Sequence, residues 1–243
     1  MDVECQLASG GGGRVGRRSE KELLIIEAAF FRFARYGFRR TSLGDIAREA
    51  SISRPAVYLH FPNKQAIFRA AASVMHERAL RAASRAALAE GRIEMRIAQI
   101  LEAKLGSFFK IAHGSAHVGE ILDENSRLCG DISEAARRRY LKILRGVIDD
   151  AARRGELAPA AAGLSTAAAA ELIVDSAKGL ETAGAATLTP LAYRRRVTQL
   201  VKVLVRGMGG RARARSAARA PAQTRERSRA GRVPRARSGA RRA

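Results

Sequence analysis

Tryptophan is absent from this chain of 243 residues, and aromatic residues make up 5% of it. The apolar residues, 47% of the total, are mostly alanine, leucine and isoleucine. This balance favours helices over sheets. No alternating pattern typical of a strand competes with the helical spacing, so the composition predicts an all-α fold.

Cysteine is almost as scarce, and Cys5 and Cys129 are the two in the chain. Two cysteines make neither a disulfide framework nor a metal-binding spacing. No run of about 18 uncharged apolar residues occurs, so no membrane span is expected. The N-terminus lacks a basic and then apolar signal pattern. We therefore expect a cytoplasmic protein without membrane association.

The signatures of an enzyme are also missing from the sequence. No glycine-rich loop follows a strand, no serine, histidine and aspartate or cysteine and histidine signature stands out, and no paired His/Glu metal motif occurs. His113, His117 and Cys129 are not accompanied by further ligands at suitable spacing. The sequence predicts no catalytic site, no metal and no cofactor.

Acidic residues are few relative to basic ones, which gives a formal net charge of +22. Half of this excess belongs to residues 211–243, which hold twelve arginines against Glu226. Residues 1–18 add little charge and include the glycine run 10–13. We expect both ends to be disordered tails, while residues 19–210 are basic in their own right, which is typical of a protein with a polyanionic partner.

Apolar spacing predicts about nine helices. The first begins near Glu20 and ends at Gly37, a residue suited to a left-handed helix end. Asp131 and Glu134 predict a capping box that starts a separate helix. The remaining predicted helices cover 43–50, 54–61, 64–89, 92–111, 120–128, 131–151, 165–183 and 190–207. We divide the chain into a three-helix bundle at 19–79 and a larger helical regulatory domain at 80–210.

The most informative segment runs from Thr41 to Lys64 and predicts a helix-turn-helix over about 42–61. Leu43, Ile46, Ala47, Val57 and Phe61 are spaced to face inward. The second helix then presents its other side chains to a DNA groove, and these are Arg54, Pro55, Ala56, Tyr58, Leu59 and His60.

Each outward residue type suits a different contact. Arg54, at the N-terminal end of the recognition helix, suits a bidentate contact with guanine O6 and N7, and a phosphate contact is its alternative. Pro55, Ala56 and Leu59 suit thymine methyl groups, and Tyr58 and His60 suit phosphates or, alternatively, packing and capping within the helix.

Two further residues of this segment lie at predicted helix N-termini, where backbone N–H groups and the helix dipole favour an anion. They are Ser42 and Lys64, and we expect both to contact phosphate.

On these residues the chain resembles the TetR/AcrR family of repressors over about 19–79. The resemblance joins the first helix, from Ile25 to Phe38, to the helix-turn-helix and to the segment Val57–Lys64. It implies an all-α homodimer that is released from DNA by a small ligand in its C-terminal domain. It also implies that the contacts with DNA are made by Arg54, Pro55, Ala56, Tyr58, His60 and Lys64.

Three positions depart from the family pattern. Arg32 replaces a usually apolar residue, and Ser51 stands where the turn often has glycine. If Ser51 needs a positive φ, the cost is about 1 kcal/mol. Gly44 lies in the first turn of the second helix, where it costs about 1 kcal/mol relative to alanine and leaves room for a phosphate near the backbone.

In the C-terminal domain we expect a ligand pocket lined by Phe108, Phe109, His113 and Tyr140, although this spacing equally fits plain core. The last two helices, about 165–183 and 190–207, are the predicted homodimer interface, with packing inside one subunit as the alternative. The predicted function is a sequence-specific transcriptional repressor that binds a double-stranded DNA operator and is released by a largely apolar small molecule. The alternative is a nonspecific architectural DNA-binding protein driven by the basic tail.

Overall fold

The computed structural model describes residues 18–112, 115–184 and 189–209, without the side chains of 105–112 and 181–184. The predicted tails therefore lie outside the described residues. Within these ranges all regular structure is helical, as the sequence predicts. The helices are α1 (Glu20–Tyr36), α2 (Leu43–Glu49), α3 (Arg54–Tyr58), α4 (Lys64–Leu88), α5 (Ile93–Ala112), α6 (Val118–Arg153), α7 (Thr166–Gly184) and α8 (Pro190–Gly207), with a short 3-10 helix at Pro159–Ala162.

The helix starts follow the capping residues in the sequence. The Oγ of Ser53 accepts a hydrogen bond from the Ala56 amide at 3.3 Å, and Asn63 Oδ1 accepts one from Ala66 at 2.8 Å. Thr189 caps α8 in the same way, with 3.2 Å between its hydroxyl oxygen and the Ala192 amide. Each contact satisfies an amide that the helix itself leaves without a partner.

Two hydrophobic cores organise the molecule, and α4 belongs to both. The N-terminal core joins α1, α2 and α3 to the first part of α4, including Ile67 and Phe68. The C-terminal core joins α5, α7, α8 and the second half of α6 to the second part of α4, including Leu80 and Ala83. Because α4 is one continuous helix of 25 residues, it connects the two cores directly.

The helix α6 is kinked where the sequence suggested a break. Residues predicted as two helices form one run, and Cys129 departs from helical geometry with φ −128° and ψ 18°. The predicted capping box at Asp131 is wrong, because its carboxylate instead makes a bidentate pair with Arg69 of α4, at 2.9 and 2.7 Å. Arg69 also donates to the carbonyl of Leu128, so α4 binds both sides of the kink.

The kink divides α6 between the two cores. Up to and just past the bend, Ile121, Leu128, Cys129 and Ile132 pack on the N-terminal core. After it, Tyr140 and Leu144 lie in the C-terminal core. Cys129 is buried, as expected for a structural cysteine, and burial raises the pKa of its thiol to about 11.

Among the helices of the described ranges, none is both long and apolar enough for a bilayer crossing.

Candidate DNA-binding surface

The inward face of the helix-turn-helix is fixed by burial. Val57 and Ile46 are fully buried, and Ala47 and Phe61 are nearly so, as predicted. Leu43 is half-buried at the edge of the same core. These contacts define the rotation of α2 and α3 about their own axes, and therefore which side chains point outward.

The opposite side of α3 is open to solvent. Arg54 and Pro55 are exposed, Ala56 and His60 are half-buried, Tyr58 is 48% exposed and Leu59 is 84% exposed. The structure thus leaves four of the six predicted residues exposed and two half-buried. The helix α3 ends at Tyr58, three residues before the predicted end near 61, so Leu59 and His60 lie in the turn that follows it.

Arg54 and Tyr58 form a pair one helical turn apart on this surface. The Arg54 guanidinium donates to the Tyr58 hydroxyl at 3.3 Å and lies 5.7 Å from the centre of its ring. The contact orients the guanidinium along the helix before any partner arrives, which lowers the entropy lost on binding.

The start of α2 is held by a reciprocal capping box. Ser42 Oγ accepts from the Asp45 amide at 3.2 Å, while the Asp45 carboxylate accepts from the Ser42 amide at 2.9 Å and from its hydroxyl at 2.7 Å. These hydrogen bonds from Ser42 lower the pKa of the Asp45 carboxyl. A phosphate that binds the Ser42 hydroxyl would therefore compete with the Asp45 carboxylate. The three-residue spacing between Ser42 and Asp45 is a capping signal that can be recognised in the sequence.

The structure gives Lys64 a role other than the predicted phosphate contact. Its ammonium donates to three backbone carbonyls of the turn after α1, those of Phe38 at 2.8 Å and of Arg39 and Thr41 at 3.1 Å. It also lies 4.6 Å from the centre of the Phe38 ring. An ammonium has three N–H donors, so in this arrangement none is left for a phosphate. Burial lowers the pKa of this lysine.

The departures from the family pattern have structural explanations. Ser51 has a φ of 54°, the positive value that a glycine would adopt more easily. Arg32 lies between α1 and α2, where it pairs with Asp45 at 3.8 Å and Glu49 at 3.7 Å. Its guanidinium also stacks 4.0 Å above the Tyr36 ring, so a charged residue is accommodated at this position.

Gly44 provides the first prediction for this surface. A Cβ there would lie 3.6 Å from Ser42 Oγ, an ordinary contact, so Gly44→Ala should raise the free energy of unfolding by up to about 1 kcal/mol. We expect its operator affinity to fall, because a methyl group would keep a phosphate from the backbone. Denaturant unfolding and DNA titration measure the two effects. Gly146→Ala, in open space on α6, is the control that should gain stability alone, and an unchanged affinity of Gly44→Ala would show that DNA does not approach here.

Two residues that the sequence did not indicate help to position α1 and the turn that leads to α2. Glu120, from the start of α6, accepts a hydrogen bond from the Arg39 amide at 2.6 Å. Ser115 donates to the Ala34 carbonyl at 2.6 Å. Partners 81 positions apart leave no signal in local spacing, so these hydrogen bonds from the start of α6 and the residues before it to α1 and its following turn could not be predicted.

Of the predicted pocket residues, Tyr140 alone has a described side chain, and it lies buried in the C-terminal core. The side chains of Phe108 and Phe109, and the whole of His113, lie outside the described residues. Whether the four line one pocket stays a prediction. Within the described ranges, no three His, Cys, Asp or Glu side chains are grouped to hold a metal ion.

Comparisons with known proteins agree with this geometry. The model of the family "Bacterial regulatory proteins, tetR family" matches residues 25–71, which include all of α2 and α3. An uncharacterized HTH-type transcriptional regulator of Bacillus subtilis, YuxN, is 50% identical over 48 residues, covering 20% of this chain and 16% of its own. A probable acrEF/envCD operon repressor of Escherichia coli is 39% identical over 59 residues, covering 22% of this chain and 27% of its own. The match thus spans less than a third of each relative.

The similarity of the whole fold extends further than that of the sequence. The structure of the regulator FadR from Bacillus subtilis, solved in complex with stearoyl-CoA, is 18% identical to this chain, with a TM-score of 0.55. The alignment covers 77% of this chain and 99% of that one. At this identity the likeness concerns the fold, including the helical C-terminal domain.

Proposed function

We propose that this chain, which belongs to the tetR family of bacterial regulatory proteins and is a DNA-binding transcription regulator, acts as a homodimeric repressor that a small, largely apolar ligand releases from its operator. The observation that carries the proposal is the outward surface of α3, whose orientation is fixed by the buried Val57 and Ile46. A helix with one face anchored and the other open is suited to insertion in the major groove.

The base contacts are assigned by chemistry and position. Arg54 reads a guanine, and Pro55, Ala56 and Leu59 contact thymine methyl groups. Tyr58 and His60 bind phosphates on either side of the groove. These contacts place the protein on the duplex and supply its sequence preference.

Dimerisation is proposed through α7 and α8, over about 165–183 and 190–207. The exposed sides of these helices carry large apolar residues, Leu172 on α7 and Leu191 and Val203 on α8. Glu171 of α7 is acidic, whereas α8 carries Arg195 and other exposed cations. A two-fold axis would place α7 of one copy beside α8 of the other, so that apolar surface is buried and opposite charges meet. The two recognition helices would then meet half-sites about 34–36 Å apart.

Release by a ligand is proposed from the arrangement of the two cores and from the relatives. The E. coli relative is named as an operon repressor, and the B. subtilis FadR structure contains stearoyl-CoA. In this chain the C-terminal core is largely aliphatic, which favours an apolar ligand. A ligand that moves α4 would change the separation of the recognition helices and so weaken operator binding.

Selection of bound sequences from random DNA tests the proposal, because a two-fold operator with half-sites one helical turn apart should emerge. On that operator, Arg54→Ala should cost about 1–3 kcal/mol of binding free energy and relax the preference at one base pair of each half-site. Arg85→Ala, exposed at the far end of α4, is the matched control and should bind normally. Unaltered base preference in Arg54→Ala would show that another residue reads the base.

The basic tail favours a second candidate function, that of a nonspecific architectural protein, because residues 211–243 carry twelve arginines. Deleting them should lower affinity for random DNA and flatten its salt dependence through reduced counterion release. Affinity for the selected operator should still exceed that for random DNA by about 10³ or more. A ratio near one, in the full chain as in the shortened one, would favour the architectural function over the regulator.

A further inference from the structure

Tyr140 is buried in the C-terminal core without a hydrogen-bond partner for its hydroxyl. The residue is 2% exposed, and no donor or acceptor in the described part of the chain reaches the oxygen. Buried polar groups in native proteins are nearly always paired, because an unpaired one opposes folding. The hydroxyl is thus suited to a partner from outside the chain.

A polar contact between α4 and α6 lies about two helical turns before Tyr140. Ser133 is seven residues before Tyr140, so the two share a face of α6, and its hydroxyl oxygen is 3.5 Å from the His76 ring of α4. Side chains on a helix lean toward its N-terminus, which directs the tyrosine toward Ser133. Arg139, which precedes Tyr140 in the chain, pairs with Glu77, which follows His76, so α4 and α6 are in contact at this level.

The charge around this region favours an anion. Burial and the nearby Lys104 lower the pKa of His76, so the ring is neutral at pH 7 and has one N–H to donate. Glu77, which acts on both His76 and Tyr140, is bound by Arg139, which compensates its charge. The Tyr140 hydroxyl, one donor of the Ser133–His76 pair and the positive potential of Lys104 therefore favour a negatively charged group here.

The surroundings are apolar on every helix that contributes. Leu80 and Ala83 on α4, Leu101 on α5 and Leu144 on α6 belong to the same core. A ligand that places a polar group at the hydroxyls would therefore have an apolar remainder.

We propose that Tyr140, Ser133 and His76 bind the carboxylate head of a small amphipathic effector, whose apolar part packs against the C-terminal core. This rests on the proposed function, because it specifies the chemistry of the ligand that releases the operator. Tyr140 donates its hydroxyl proton to the carboxylate, and the Ser133–His76 pair supplies one further donor, because the contact between the two uses the other.

The test uses the full chain on its selected operator and three probes with the same ten-carbon chain, namely decanoate, 1-decanol and decylamine, below their micelle concentrations. We expect decanoate to raise the thermal unfolding midpoint and to release the operator, 1-decanol to act more weakly, and decylamine to act least. Equal action of the three would overturn the choice of a carboxylate.

Two variants locate the binding group. Tyr140→Phe removes an unpaired hydroxyl and keeps the ring, so without ligand it should unfold at the same temperature or higher, yet require about tenfold more decanoate for release. Tyr193→Phe alters the other fully buried tyrosine of the same core and should respond to decanoate as the wild type does.

Each remaining result has a distinct meaning. If Tyr140→Phe is less stable than the wild type and equally sensitive to decanoate, the hydroxyl holds a structural water and the inference is overturned. If the protein binds its operator specifically but no probe affects it, this inference fails and the operator function stands. If no specific operator is found, the proposed function itself fails, whereas tighter carboxylate binding that depends on Tyr140 would still support the site.

Discussion

Gly37→Val should lower the free energy of unfolding by about 3 kcal/mol and strongly reduce operator binding. Gly37 ends α1 with φ 85° and ψ 157°, a conformation that is essentially restricted to glycine. A Cβ there would also collide with the carboxylate of Glu120 and lie 3.2 Å from His117 Nδ1. Moving Glu120 away would break its hydrogen bond with the Arg39 amide. Urea unfolding and operator titration of the purified variant measure both losses.

The contributions of backbone and contact can be separated. Gly119→Ala changes a glycine of α6 that has open space around it, and as a control it should be stabilising by up to about 1 kcal/mol. Gly37→Ala, measured alone and together with Glu120→Ala, forms a double-mutant cycle. If Gly37→Ala still lowers the free energy of unfolding when Glu120 is alanine, the loss comes from the backbone conformation of residue 37. If the loss disappears in that background, the assigned backbone strain is contradicted.

Lys64→Met should lower the free energy of unfolding by about 2 kcal/mol, since charge-assisted hydrogen bonds to three carbonyls are lost. Operator affinity should fall as well, because those carbonyls belong to the turn that positions α2. The salt dependence of binding should keep its slope, whereas loss of a phosphate contact would reduce that slope by about one. Chemical unfolding and operator titrations at several salt concentrations distinguish the two roles.

Arg40→Met is the matched control for Lys64→Met, since Arg40 is an exposed cation of the same turn. It removes the same charge and should leave stability nearly unchanged. If Lys64→Met has normal stability and the slope of its salt dependence is reduced by one, Lys64 contacts phosphate, as the sequence predicted.

The sequence predicted best those features whose cause lies within a few residues. Ser53, Asn63 and Thr189 cap the helices that follow them, and Gly37 ends α1, because capping depends on local backbone geometry. The burial of Val57 and Phe61 followed from helical spacing alone. That spacing was sufficient to identify the outward surface of α3.

Features that depend on contacts between distant parts of the chain could not be predicted from the sequence. Lys64 looked like a phosphate ligand because its position at a helix start fits one, yet carbonyls 23 to 26 positions earlier occupy its ammonium. Similarly, Asp131 was predicted to cap a separate helix. The backbone does leave helical geometry at Cys129, but Arg69, 62 positions before Asp131, binds the carboxylate and the carbonyl of Leu128 on the other side of the bend. A single sequence does not show which distant residues will meet. It therefore cannot show that Lys64 and Asp131 bind distant partners instead of making the contacts that their local positions suggest.

The division of α6 at Cys129 has a consequence for protein engineering. Ile121, Leu128 and Ile132 of α6 cover the N-terminal core, although they lie some 40 residues or more beyond the predicted boundary at 79–80. A chimaera that grafts residues 19–79 onto another sensor would expose that apolar surface to water. Transplanting this DNA specificity therefore requires the segment 115–132 as a second insert, or a recipient whose own helix presents matching apolar side chains at the same place.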